Sequence, residues 1–550
     1  MDNCNYMKKY IVIAVMSLAV LPSAAQDTYE NARLLGSDLN GTARYVGMGG
    51  ALEALGADIS TIGTNPAGIG MFRHSAASLS LGPVSQQGSV KFDNLGKTVM
   101  SFDQIGFVWS GQTGERSFLN FAFNYHKSRN FDQLLHAANN FRTEASLSKL
   151  VYAKSARLSD TQGGYYLDTN DQGYWMGWRN ETSTERAYPF TQMDFLMTNA
   201  FTMDDVNDAD PFNTYAAATD YLFDRAHRGW VNDFDFNISG NSNNRIFWGV
   251  TIGLKHANYR GVSSYMENII DVNNTPRGSI ELFDERKLTG TGMDIKAGLI
   301  LRPIEESPFR IGLSISTPTW YDLKTENWTT IYNKTDNTYY NYGADDLPSN
   351  EIYEFNYYTP WKFGLSFGHT IEDYLALGAS YEYMSASSAD TRIKDDYDDY
   401  YYDSSFSDNV INNHTDRTLK GVSLIKLGAE FKPEEDIAIR LGYNYQSSMF
   451  NENGVRETTL DAPGNVYMST ADYVNWKATN RVTCGVGYKY DKLNFDLAYQ
   501  YSMTNGTFYP FQSNVTYTDP YDGTTGSNIA TPTDVNFKRH QVLFTIGYTF

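Results

Sequence analysis

The sequence predicts an all-β fold: a transmembrane antiparallel β-barrel of about fourteen strands, with an N-terminal hatch inside the lumen and long extracellular loops. Three observations predict it. Of the 550 residues, 41% are hydrophobic and 20% charged, yet 41 Tyr, 31 Phe and 44 Gly stand among them; barrels look polar on average because only alternate residues face lipid. Apolar residues recur with a period of two in paired runs. The runs alternate between short turns and long connections, the asymmetry of a barrel with periplasmic turns and outer loops. Other classes are excluded. With 44 Lys+Arg against 64 Asp+Glu the formal charge is −20, so nucleic acid is not a partner. The longest apolar run, residues 10–21, is shorter than the about 20 residues a spanning helix needs. Two cysteines, Cys4 and Cys484, cannot build a disulfide scaffold.

Residues 1–25 read as a signal peptide. Lys8 and Lys9 form the positive region, residues 10–21 the apolar core, and Ser23-Ala24-Ala25 a small-residue site for cleavage before Gln26. Residues 26–74 precede the first strand. Wall strands are then expected at 75–84, 102–111, 117–125, 232–240, 245–255, 293–302, 309–317, 361–369, 374–384, 421–431, 437–445, 481–490, 493–501 and through the C-terminus. In the last, Val542, Phe544, Ile546, Tyr548 and Phe550 share one parity. A terminal Phe closing such a strand resembles the assembly signal of bacterial outer-membrane barrels. Each run is close to the roughly 9–11 residues that cross a bilayer. Seven outer loops follow, at 85–101, 126–231, 256–292, 318–360, 385–420, 446–480 and 503–538. Within the second, 131–158 and 193–227 carry apolar residues near helical spacing, among them Leu134, Leu135, Ala138 and Phe141. A soluble sandwich fits less well, because the second face of these strands carries Gly, Ser, Thr and Asn, which suit a wet lumen.

Eight strands can be filled by their own side chains, whereas fourteen are too wide. The segment 26–74 is therefore expected to plug the lumen. It is dominated by small residues, which permit close backbone approach, and Asn65-Pro66 marks a turn. Its motifs Gly47-x-Gly49-Gly50-Ala51, Asp58-x-Ser60-Thr61 and Asn65-Pro66-Ala67-Gly68 resemble the hatch of FadL-type long-chain fatty-acid transporters and their toluene-channel relatives. The resemblance implies passive uptake of hydrophobic small molecules across the Gram-negative outer membrane. It implies a hatch that shifts on ligand binding, and release through a lateral opening in the wall. The partners it implies are a fatty-acid-like ligand, outer-membrane lipid and the barrel-assembly machinery, engaged through the strand ending at Phe550. The chain departs from the family in size, chiefly at 126–231.

Parity places Lys296, Arg302, Arg310 and Arg440 on the inward face, where a ligand carboxylate would meet them. Pairing with Asp294, Glu382, Glu430 and Asp496 is the competing reading, since buried charges are usually paired. No cofactor or metal is expected: the eight His lack paired-ligand spacing, and the acidic run 395–403 lacks an EF-hand pattern. No nucleophile elbow, P-loop or Rossmann motif is present, so a non-enzyme is expected. A haemin or other nutrient receptor, a surface adhesin and an outer-membrane lipid hydrolase are the alternatives.

Overall fold

The computed structural model describes residues 27–158, 166–169, 175–178, 186–189, 191–201, 215–271, 273–334, 340–342, 351–394, 405–460, 462, 468–518 and 523–550. The expected signal peptide and the acidic run 395–403 lie outside the described residues. Fourteen antiparallel strands close into one ring: β1 (Ala76–Gln87), β2 (Thr98–Gly114), β3 (Ser117–Asn130), β4 (Ala217–Ser242), β5 (Ile246–Ile270), β6 (Pro276–Leu301), β7 (Arg310–Ser316), β8 (Lys362–Ile371), β9 (Leu375–Ser385), β10 (Gly421–Glu434), β11 (Ile437–Gln446), β12 (Tyr473–Tyr490), β13 (Leu493–Tyr509) and β14 (Thr533–Thr549). Each pairs with its chain neighbour, and β1 pairs with β14 from Ala76↔Thr549 to Gln87↔Lys538. Closure removes the unpaired edges that lipid would not tolerate. Among the described residues no helix is long and apolar enough to cross a membrane.

The outward faces form an apolar belt. On β5, Ile246, Trp248, Val250, Ile252 and Leu254 are exposed, while Thr251 points inward and is buried. Past Leu254 the pattern inverts. Ala257, Tyr259, Tyr265 and Ile269 are now buried on the inward face, and His256, Asn258 and Arg260 take the outward positions. β6 does the same, with Met293 and Ile295 exposed in the belt and Ile280, Leu282 and Leu288 buried inward above it. Below the inversion the wall has lipid outside and a polar lumen. Above it, water lies outside and an apolar core inside.

This inversion corrects the loop boundaries. The expected loop 256–292 shrinks to 271–275, because β5 and β6 stay paired to Ile270 and Pro276. Fifteen residues of β5 past Lys255 extend the wall by roughly 50 Å of strand. The expected loop 318–360 contains three more strands, Trp320–Asn333, Tyr340–Tyr342 and Glu351–Tyr358, which prolong the wall beside β6. The helix-like stretch 131–158 divides into a strand, Gln133–Ala145, and a helix, Leu147–Leu158. The stretch 193–227 divides into a helix, Gln192–Phe201, and the outer half of β4. The ladder from Gln133↔His227 to Asn140↔Asp220 decides the matter, because it satisfies a run of backbone groups at once. The two helices pack over the mouth, where Leu150, Met193 and Leu196 join Leu135, Phe223, Phe508 and Phe511 in one core.

A seam lies between β2 and β3. The β2–β3 ladder runs from Gly114↔Ser117 to Gln104↔His126 and stops. Beyond it, β2 pairs only with β1 and β3 only with β4. A register shift between Lys127 and Arg129 accompanies the break; such bulges re-aim side chains. Here Arg129 turns inward to line a lumenal cavity.

Candidate functional site

The N-terminal segment lies inside the ring as a series of short capped turns. Asp27 caps Thr28–Asn31, Thr42 caps Ala43–Gly47, Asp58 caps Ile59–Gly63 and Asn65 caps Pro66–Met71, with Pro66 at the first position of its turn. Each cap accepts from backbone N–H groups that would otherwise be orphaned. The turns are tied together: the Thr42 hydroxyl donates to Asp58 (2.8 Å), and the Thr42 N–H donates to Ser60 Oγ (2.8 Å). Gly49 and Gly50 have φ of +63° and +84°, the left-handed region that glycine alone enters freely. This pair folds the segment back against the wall.

Wall glycines receive the hatch. Gly368, Gly378, Gly428 and Gly442 are direct cross-strand partners on β8 to β11. A Cβ on Gly378 would lie 1.9 Å from Ala51 O, one on Gly428 2.3 Å from Met48 O, and one on Gly442 2.1 Å from Gly49 N. On β6, Gly298 makes room for Asn65, whose Oδ1 a Cβ would meet at 2.0 Å. Hatch carbonyls accept from wall side chains: Ile69 from Asn120 (2.7 Å), Ile62 from Thr251 (3.1 Å), Gly49 from Asn444 (3.2 Å) and Gly47 from Thr483 (3.1 Å). Two ion-pair groups also join hatch and wall. Glu53 meets Lys426 at 2.6 Å, and Arg44 shares Glu430 with Arg440, which also holds Asp496 at 2.5 Å.

The hatch residues singled out in the sequence meet different parts of the wall and of the hatch itself. Gly47, Gly49 and Gly50 face β10 to β12, Pro66 and Ala67 face Gly249 of β5, and Gly68 packs on Thr61 within the hatch, where a Cβ would be 2.5 Å from its Oγ1. The four inward cations do not converge. Lys296 pairs with Asp235 (2.9 Å) and Asp294 (3.3 Å). Arg440 belongs to the Glu430–Asp496 group. Arg302 donates to the carbonyls of Ser307 (2.7 Å) and Glu305 (2.6 Å) in its own turn. Arg310 donates to the hatch carbonyl of Leu55 (2.8 Å).

Sequence spacing missed a second cation group. A cavity of about 190 Å³ lies between residues 29–38 and the upper wall, bordered by Tyr29, Phe131, Tyr473 and Trp476, with Arg129, Arg481 and Arg539 at its lower end. Inward parity was a signal for Arg481 and Arg539, but Arg129 reaches the cavity only through the bulge. His126, Asp233 and Asp235 also cluster with metal-type donors. Lys255 is bonded to Asp233 and Lys296 to Asp235, so both carboxylates are already paired with ammonium groups.

The cavity borders the seam. From inside, the Asp38 N–H donates to Ser128 O (2.9 Å) and the Asn130 N–H to Asp38 Oδ2 (2.9 Å), so the hatch satisfies β3 groups that β2 leaves unpaired. Asn40 bridges the gap, donating to Lys127 O (3.0 Å) and to Asp103 of β2 (2.9 Å). Above, the Gln86 side chain of β1 forms two bonds with the Leu134 backbone (2.6 and 2.8 Å). Side chains, not a backbone ladder, close this part of the wall.

No family model matches the chain, and no curated protein matches its sequence. Solved structures similar to it include the toluene transporter TbuX of Ralstonia pickettii, 12% identical over 93% of this chain and 99% of that one, with a TM-score of 0.47. A FadL homologue of Pseudomonas aeruginosa is 12% identical over 94% and 99%, with a TM-score of 0.49. The toluene transporter TodX of Pseudomonas putida is 12% identical over 93% and 99%, with a TM-score of 0.43.

Proposed function

We propose that the protein is an outer-membrane channel for passive uptake of hydrophobic small molecules, fatty-acid-like compounds among them, with the N-terminal hatch as its gate. One observation carries the reading: the hatch is bonded to the wall across the lumen, while the wall beside a cavity bordered by aromatic rings is closed at the β2–β3 seam by hatch contacts and side chains and not by a strand ladder. An apolar solute gains nothing from a water-filled pore. A cavity next to a weak seam offers it a path from the cavity into lipid, with the hatch tied to both through Asp38 and Asn40. The exposed Phe550, whose N–H donates to Ser75 O (2.9 Å), is the element assigned to the assembly machinery. The hatch motifs at 47–51, 58–61 and 65–68 support the same reading.

The test is uptake of radiolabelled oleate and toluene by cells that carry the protein in their outer membrane, compared with cells that lack it. Faster uptake of at least one compound is the expected result. Equal rates for both, with the barrel inserted and heat-modifiable, would sink the proposal.

A further inference from the structure

The chain carries −20 overall, yet the lower end of the upper cavity is cationic. Arg129, Arg481 and Arg539 surround a single carboxylate, Asp38. Arg539 Nη2 lies 3.3 Å and Arg129 Nη1 3.8 Å from Asp38 Oδ1. Arg481 reaches only amide oxygens, those of Asn444 (2.8 Å) and Gln446 (3.3 Å). The side chains of Arg481 and Arg539 are buried. The Nε of all three is buried without a hydrogen-bond partner among the described residues. Of the other cations at the cavity, Arg225 is balanced by Asp472 (2.6 Å) and Arg456 by Asp27 (2.5 Å), while Arg33 donates to the Tyr259 hydroxyl (2.8 Å) and Lys477 adds a further positive charge to the lining. Asp132 also lines the cavity, but it accepts from the Gly229 N–H and forms no ion pair with the three. Asp103 is held by Asn40 and Ser101. Three guanidinium groups against one carboxylate leave two positive charges unmatched, and buried charge is retained only where it is paired.

Aromatic rings border the cavity as well. Tyr29 stacks on Phe450 with centroids 5.2 Å apart and planes at 12°, and Tyr473 stands 5.1 Å from Tyr29 and stacks on Tyr509 at 4.8 Å. Flat ring faces favour an offset-stacked aromatic guest. A cavity of about 150 Å³ holds benzene, so about 190 Å³ suits one ring with a small substituent better than an extended acyl chain. We infer that this cavity is the recognition site for an aromatic carboxylate, with its carboxylate in the forks of Arg481 and Arg539 and its ring extending toward the aromatic side of the cavity. Guanidinium pairs a carboxylate through two parallel hydrogen bonds. The inference rests on the channel reading and narrows its substrate.

The experiment is calorimetric titration of the full chain in nanodiscs with three probes: 4-ethylbenzoate, its neutral methyl ester, and octanoate. The expected result is that 4-ethylbenzoate binds about tenfold or more tighter than either of the others, with an affinity that falls as salt rises. In Arg481→Gln/Arg539→Gln the preference over the ester disappears, while ester binding stays within about twofold, which reports an intact cavity. Arg481→Lys/Arg539→Lys, which keeps the charge but loses the forks, falls between the two. Equal binding of acid and ester, or of acid and octanoate, overturns the inference. If either occurs while oleate or toluene uptake persists, the channel reading survives. If the acid binds as expected but no compound is taken up, the site stands and the channel reading falls.

Discussion

Replacing both Gly378 and Gly442 by valine is expected to open the barrel to ions while leaving its wall intact. The atoms that an added side chain would strike are hatch backbone: Ala51 O for Gly378 and Gly49 N for Gly442, at 1.9 and 2.1 Å. A flexible side chain could swing away, but backbone pinned by its own turns cannot. Valine suits a strand better than glycine, so the wall loses nothing and the hatch takes the strain. Overpacking costs about 1–3 kcal/mol per site, and both sites act on one small element. A fourteen-stranded ring without its plug is wide enough to pass water and ions. In planar bilayers the wild type is expected to stay closed, and the double variant to conduct roughly tenfold more or better. Gly547→Ala is the control. Its Cβ would meet nothing closer than 3.6 Å, and it is expected to remain closed. A closed double variant would mean that the hatch does not depend on the glycine row.

Lys426→Met is the second large effect. Lys426 and Glu53 are both buried and meet at 2.6 Å, with the Ser380 hydroxyl donating to Glu53 at 2.5 Å. Removing the lysine leaves a hatch carboxylate in the lumen with only hydroxyl donors. Breaking a buried pair from one side costs about 3–5 kcal/mol, because the surviving charge is uncompensated. The cost falls on hatch docking, since the pair joins hatch to wall. Hydrogen exchange of residues 43–57 is expected to accelerate by roughly two to three and a half orders of magnitude, the equivalent of that free energy. Adding Glu53→Leu is expected to restore most of the protection, because two well-packed apolar groups replace a buried pair at little loss. If the double variant exchanges as fast as Lys426→Met alone, the pair is not the link that seats the hatch.

The wall was legible in the sequence because lipid imposes a strict alternation. Val542, Phe544, Ile546 and Tyr548 of β14 are all exposed, as a single parity of apolar residues requires. The same rule hid the upper wall. Above Leu254 and below Met293 in sequence, water replaces lipid outside, so the apolar parity moves to the inward face and the strands read as loops. The helical spacing at 131–158 misled for a related reason. Leu135 and Ala137 pack inward in the upper core while Leu134 packs outward against Leu95 and Ala226, and a two-sided strand can mimic a helical stripe. The hatch was legible through its small residues and its Asn65-Pro66 turn. The cation site was not. Parity correctly turned Lys296 and Arg440 inward, but it says nothing about partners that lie far along the chain, such as Asp235 for Lys296. Arg129 depends on a one-residue bulge, and Asp38 on the path of a segment without regular structure.

Movement of the hatch is the central claim, and a reversible tether tests it most directly. A Cβ on Gly47 would lie 3.4 Å from Gly485 Cα, and a Cβ on either glycine meets nothing closer than 3.2 Å. Disulfide partners need a Cβ separation of about 3.5–4.5 Å, so Gly47→Cys/Gly485→Cys can join hatch to wall. Cys484 is exposed and is replaced by serine in the same chain. The measurement is oleate and toluene uptake by cells carrying this variant, first oxidised and then reduced. The account predicts that oxidation stops uptake and that reduction restores it. Uptake at the same rate in both states, with cross-linking complete, would contradict a gating hatch.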